Sequence, residues 1–208
     1  MDTRVMGRRL PLLLLLLVLA VLSWSAIQPK DRFTWWLEVA PVLIALPLMI
    51  ATARRFPLTP LLYVAIAVHM IILMVGGHYT YAEMPLFNWL RDEFGLARNH
   101  YDRVGHLAQG FVPALVAREI LLRKTPLKPG AWLFVLVTCV CLAVSAAYEL
   151  IEWGVAEASG DEAVAFLATQ GDPWDTQKDM ALALLGSVLA QLALARLQDR
   201  QLARLVRS

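Results

Sequence analysis

What most limits the fold of this chain is a succession of long apolar runs, separated by short segments that hold most of the charge. A helix needs roughly 20 mostly apolar residues to cross the hydrocarbon core of a bilayer. Six stretches qualify: Leu10 to Ile27, Phe33 to Thr52, Pro60 to Gly76, Arg103 to Leu122, Ala131 to Glu152, and Lys178 to Leu197. The fourth and sixth are the least apolar. They are kept because reading them as surface helices would erase the charge bias of the loops between them.

Composition agrees. Hydrophobic residues make up 59% of the 208 positions and charged residues only 17%, with a mean hydropathy of +0.57, outside the range of soluble domains. The expected architecture is all-α: a polytopic transmembrane helix bundle, one integral membrane domain over residues 1–208, with the lipid bilayer as its partner. No basic stripe suggests nucleic acid, and the oligomeric state is not fixed by the sequence. Cys139 and Cys141, two apart in an apolar run, point away from each other on a helix and are expected to be packing residues.

Charge placement orients the bundle. With a cytoplasmic N-terminus, the inner side receives Arg4, Arg8, Arg9, Arg54, Arg55, Arg118, Arg123, Lys124, Lys128, Arg196, Arg200, Arg204 and Arg207. That is 13 of the 19 basic residues, while all acids except Asp2, Glu119 and Asp199 fall outside. Every inner segment is then basic, as the positive-inside rule requires, and both ends are expected in the cytoplasm. Basic residues ahead of a leucine-rich core also fit a cleavable signal peptide. However, Ser23-Trp24-Ser25 is a poor cleavage site, so the first span is expected to be retained. The segment Met84 to Gly95, with proline near its start and glycine at its end, reads as a short amphipathic helix along the outer interface. Trp24, Trp35, Trp36, Trp89, Trp153 and Trp174 lie near the same side, as an aromatic belt would.

Ionisable residues in or beside spans are costly in lipid, which makes each a candidate for function. Here they gather at one side. Asp102 and His106 are spaced i and i+4, Glu149 and Glu152 i and i+3, and Asp175 and Asp179 i and i+4, so each pair shares a helix face. Carboxylates and imidazoles converging from facing helices are how bundles build metal sites. Oxygen ligands with one or two imidazoles suit zinc, manganese or iron better than copper(I). All six residues are therefore candidate metal ligands and candidate catalytic acids or bases, with His78 and His100 as second-tier members.

Simpler readings stand beside this one. Asn99 and Asp172 are expected as helix caps, and Asp102 and Asp175 share that reading as first-turn acids; His106 and Asp179 lie a full turn deeper. Glu149 and Glu152 end a helix, where negative charge is disfavoured, so a metal, a proton or an arginine must offset them. Arg103 is the nearest plausible arginine on the same side. His69 is expected to be a hydrogen-bonded packing residue, and Glu38 stands alone with no role assigned.

Four stretches carry a resemblance: His78 to Glu83, Arg98 to His106, Tyr148 to Trp153 and Thr169 to Asp179. Together they resemble the YjdF-type family of bacterial inner-membrane proteins, which implies a multi-pass protein of the inner membrane and brings no activity with it. A weaker similarity links the chain to VanZ-like membrane proteins. Asp102-Arg103-Val104-Gly105-His106, Glu149 or Glu152, and Asp175 or Asp179 followed by Gly186 would fill the elements of that pattern. Arginine at 103 replaces its lysine, and Asp179 stands in place of asparagine. This similarity implies at most a role in the cell envelope.

Three classes of function remain open on the sequence. The first is an enzyme that uses a divalent metal, or acid and base without one, on a lipid-linked or envelope substrate. The second is a proton- or cation-coupled transporter, hinted at by the repeated helix starts at Asn99 and Asp172. The third is a non-catalytic scaffold whose polar network fixes helix packing. No HExxH run, phosphate-cradling glycine loop or nucleophile motif narrows the choice.

Overall fold

A computed structural model describes residues 3–159 and 167–205, with side chains from residue 9 onward. The side chains of Asp2, Arg4, Arg8, Asp161, Glu162 and Arg207, all counted in the charge bias, lie outside the described residues. The described chain is helical throughout: α1 (Thr3–Ser25), α2 (Arg32–Thr52), α3 (Pro60–Tyr79), a 3-10 turn (Tyr81–Glu83), α4 (Pro85–Phe94), α5 (Tyr101–Lys124), α6 (Ala131–Ser159) and α7 (Asp175–Leu205). No strand occurs among the described residues.

Helix starts follow local chemistry. The Asp31 carboxylate accepts from the Thr34 amide at 2.6 Å to begin α2, and Thr59 precedes Pro60 in the first position of α3. Gly95 ends α4 in the left-handed conformation, at φ 61°. Asp172 behaves differently from the expected cap. Its carboxylate accepts from the Trp174 amide at 3.1 Å, so residues 172–174 form a turn and α7 starts only at Asp175.

Four helices are long and apolar enough to cross a membrane: α2, α3, α6 and α7. The sixth expected span is thus apolar enough despite its polar start. The apolar part of α1, Arg9–Ser25, is shorter. At 24 residues α5 is long enough, but it carries Asp102, Arg103 and His106 near one end and Arg118, Glu119, Arg123 and Lys124 near the other. Most of these are turned inward: Asp102, His106, Arg118 and Glu119 are buried, and of the seven only Lys124 is exposed. That is the pattern of a central helix sheathed by apolar neighbours.

Packing follows from that position. One apolar core joins α1, α2 and α3 through Val18, Trp35, Val39, Val42, Met70 and Met74. Another joins α3, α5, α6 and α7 through Leu62, Leu115, Leu133, Val137, Cys141 and Ala190. Trp35 is a correction to the expected belt: it is buried, and its indole nitrogen donates to Ser25 Oγ at 3.2 Å, whereas Trp24, Trp36, Trp89, Trp153 and Trp174 are exposed. Both cysteines are free thiols.

The closest approach is between α5 and α7. A side chain at Gly110 would strike the Ala183 carbonyl, and one at Gly186 would strike the Leu107 carbonyl. This pair of glycines lets two backbones meet as small residues do between membrane helices. At the end of the bundle away from the candidate site, Glu119 accepts from Thr59 Oγ1 at 2.8 Å and from Arg123 at 2.9 Å, and Gln198 donates to the Leu115 carbonyl at 2.8 Å. That buried network ties α3, α5 and α7 together.

Candidate functional site

The N-terminal turns of α5 and α7 and the C-terminal half of α6 meet at one end of the bundle. Asn99 sets the start of α5. Its side-chain oxygen accepts from the Tyr101 amide at 3.0 Å, while its side-chain nitrogen donates to the Met84 carbonyl at 3.0 Å and to Asn88 at 2.9 Å. Gln170 brackets the Asn99 backbone, accepting from its amide and donating to its carbonyl, each at 2.9 Å. The loop before α7 is thereby pinned to α5, with Ala168 and Gln170 both held at φ 48°, a strained conformation for residues with side chains.

Arg98 fills the space inside that loop. It donates to the carbonyls of Ala168 at 2.9 Å and Thr169 at 3.3 Å, to Asp102 at 3.3 Å, and to Asp175. Arg103 donates to Asp172 at 3.0 Å and Asp175 at 2.9 Å, and its Nε lies 3.5 Å from Asp179 Oδ1. The arginine expected to offset Glu149 and Glu152 is therefore engaged by aspartates instead. Lys178 also reaches Asp172, at 2.6 Å. Asp172 lies outside the spans. Lys178 first, then the Trp174 amide and Arg103, hold its carboxyl down at about 2. His100, at the same level, is pushed below its ordinary value by burial and by Arg98 and Arg103.

Behind this ionic layer lies a second group with fewer partners. Asp102, His106 and Asp179 each offer a ligand atom within 4.8 Å of the others, and all three are buried. His106 Nε2 is 3.4 Å from Asp102 Oδ1, and Nδ1 is 3.2 Å from Gln109 Oε1 and 3.6 Å from Glu149 Oε1. Asp179 Oδ1 and Glu149 Oε1 are buried without a hydrogen-bond partner. Glu152 interacts electrostatically with Glu149, Glu38 and His106.

Of the sequence candidates, Asp102, His106, Glu149, Glu152 and Asp179 come together. Asp175 joins them at the edge, where both arginines occupy its carboxylate. His78 does not belong: its Nδ1 sits 3.1 Å from the Ser25 carbonyl and its ring 4.4 Å from that of Trp24, fastening α3 to α1. His100 occupies the N-cap position of α5 without a side-chain cap bond, in electrostatic range of both arginines. His69 leaves Nε2 buried without a partner, so the expected hydrogen bond is absent among the described residues.

Two members were missed. Glu38 of α2 is buried in electrostatic range of Asp102 and His106, beside the Tyr81 hydroxyl. Tyr81 reaches it because Gly76 and Gly105 leave room for its ring between α3 and α5. Arg98 is the other. A lone acid in an apolar run was the available signal for Glu38. For Arg98, the only signal was its place four residues before Asp102.

The arrangement carries an electrostatic imbalance. Glu38, Asp102, Glu149, Glu152, Asp172, Asp175 and Asp179 outnumber Arg98, Arg103 and Lys178; the cations lie mainly on Asp172 and Asp175, with Arg98 also reaching Asp102 at 3.3 Å and Arg103 lying 3.5 Å from Asp179. The inner group then holds one imidazole and the edges of two arginines against several carboxyls. Such a group needs protons or a bound cation to stay buried.

Comparison with known proteins bears on the chain as a whole. No solved structure matches. Escherichia coli (strain K12) has a relative, described as inner membrane protein YjdF, that is 54% identical over 184 residues, covering 88% of each chain. The model of the family described as "Predicted membrane protein (DUF2238)" matches residues 10–200. With that match over most of its length, the chain belongs to this family of membrane proteins.

Proposed function

We propose that this protein is a six-span inner-membrane protein with both ends in the cytoplasm, forming a single integral membrane domain. In this reading Asp102, His106 and Asp179, backed by Glu149 and Glu152, are a divalent-metal or acid–base centre acting at the outer face on a lipid-linked or envelope substrate. The observation that carries it is the buried trio with ligand atoms within 4.8 Å, in which Asp179 Oδ1 and the adjacent Glu149 Oε1 accept no hydrogen bond among the described residues. Ligand atoms around a zinc ion at about 2.0–2.2 Å lie at most about 4.4 Å apart. Small side-chain rotations would close the trio on an ion. One imidazole with carboxylate oxygens suits zinc, manganese or iron. The same charge excess taken up by protons would leave a general acid–base pair in His106 and a neighbouring carboxyl.

A second reading has its own support. Arg98 is spent on backbone carbonyls and two aspartates, as in a scaffold that fixes the loop before α7. Metal addition separates the two. A ligand that binds only the folded state raises its melting temperature by mass action. In chelator-stripped, detergent-purified protein, zinc or manganese should raise the melting temperature of the wild type and leave His106→Ala and Asp179→Asn unmoved. A flat wild-type response, with both variants strongly destabilised, favours the scaffold.

A further inference from the structure

Away from the outer cluster, α2 and α5 both pack on α3 yet hardly touch each other. A groove of about 610 Å³ opens sideways between them, floored by Ile66 and Met70 and walled by Ala45, Leu48, Val116 and Ile120. Leu48 and Ile120 stand exposed at its lips. The rise from Val112 to Lys124 along its α5 wall is about 18 Å, close to the depth of one leaflet of a ~30 Å hydrocarbon core. Its mouth is charged. Arg55 and Lys124 line one end, and neither has a carboxylate partner among the described residues. Their neighbour Arg123, by contrast, is paired with Glu119 at 2.9 Å. The Lys124 ammonium lies 5.3 Å from the Phe56 ring centroid and Arg123 lies 3.5 Å from it, so the ring gathers positive charge at this end.

An apolar slot one leaflet deep, ending in two cations that have no carboxylate partner among the described residues, is complementary to an anionic amphiphile. We infer that the groove is a binding site for one anionic phospholipid, with an acyl chain between α2 and α5 and the phosphate at Arg55 and Lys124. Assignment of that lipid to the cytoplasmic leaflet rests on the orientation proposed above; the binding itself does not, and neither depends on what the outer cluster does.

The test is native mass spectrometry of the full chain released from nanodiscs of equal parts phosphatidylglycerol and phosphatidylcholine. Two basic residues near a lipid phosphate favour the anionic lipid by roughly thirtyfold. The wild type should retain one phosphatidylglycerol with about that preference. R55Q/K124Q should lose the preference while keeping its helicity and melting temperature, and A45W, which fills the slot, should lose the retained lipid. Equal retention of the two lipids would mean a nonspecific lipid coat and overturn the proposal. So would an unchanged preference in the exposed-site variant R55Q/K124Q, whatever the fate of A45W. Lipid-free dimers would assign the groove to a second copy, and overturn it too.

Discussion

Arg98 donates to three backbone carbonyls and two carboxylates while almost wholly withdrawn from solvent. An arginine with its donors spent in this way is a strut, and its removal strands Asp102 and Asp175 without their counter-charge. Breaking a buried pair costs about 3–5 kcal/mol. Thermal unfolding of purified Arg98→Ala should show a loss of that order. Arg98→Lys should recover only part of it, because an ammonium is a point charge and cannot span both acids. Unchanged melting of Arg98→Ala would remove the strut from the account. Asp172 gives a pH-dependent counterpart. Its folded carboxyl, at about 2, lies below the ordinary value of about 3.9, so its contribution is present above about pH 4 and lost as pH falls toward 2. Asp172→Asn should therefore melt lower than wild type at pH 5–7, and the gap should close between about pH 4 and pH 2. A gap that persists at pH 2 would mean the side chain acts through shape alone. At this scale the paired spacings of Asp102 with His106 and Glu149 with Glu152 were readable, because helix periodicity is local. The roles of Arg98 and Glu38 were not, since they arise from contacts with Ala168, Asp175 and Tyr81 across distant parts of the chain.

The elements themselves were close to legible: the six expected spans lie within α1, α2, α3, α5, α6 and α7 but for the last two residues of the first, and α4 sits between Pro85 and Gly95 as its punctuation indicated. The ends were missed by several residues. Lys178, for example, opened the sixth expected span, but α7 begins three residues earlier, at Asp175, directly after the Asp172 turn. What the sequence could not indicate is how tightly α5 and α7 meet. Gly110 faces the Ala183 carbonyl and Gly186 faces that of Leu107, contacts between helices that no local pattern in the sequence marks. A β-branched side chain there overpacks the interface, which typically costs about 1–3 kcal/mol. It also shifts Asp179, two turns along α7 from Gly186, relative to Asp102 and His106. Gly110→Val and Gly186→Val should thus lower the melting temperature and abolish any metal response together. Gly154→Ala, on α6 with open space around it, should leave melting level or raise it. Equal behaviour of all three variants would contradict a close α5–α7 contact.

On the scale of the molecule, charge is sorted by end. The basic residues of the Arg54 to Arg55 turn, the Arg118 to Lys128 region and the C-terminal helix lie at the end opposite the acid cluster, and the proposed six-span topology with both ends inside would put that end in the cytoplasm. Single cysteines at Ser159 and Ser208, placed in a background lacking Cys139 and Cys141, should react from opposite sides of intact cells; Ser208 lies outside the described residues, so only the topology bears on it. Equal reaction with an impermeant outer reagent would end that topology and the outer placement of the cluster. The central claim is narrower: the buried carboxyl–histidine group is held together for a ligand rather than for stability. Acids that repel one another in the absence of a cation or proton can be replaced with stability kept or raised while function is lost. Elemental analysis of the purified wild type beside Asp102→Ala, His106→Ala and Glu152→Ala tests this most directly. The account predicts stoichiometric zinc, manganese or iron in the wild type and its loss from each variant that still folds. A metal-free wild type, together with collapse of expression and melting in all three variants, would contradict it.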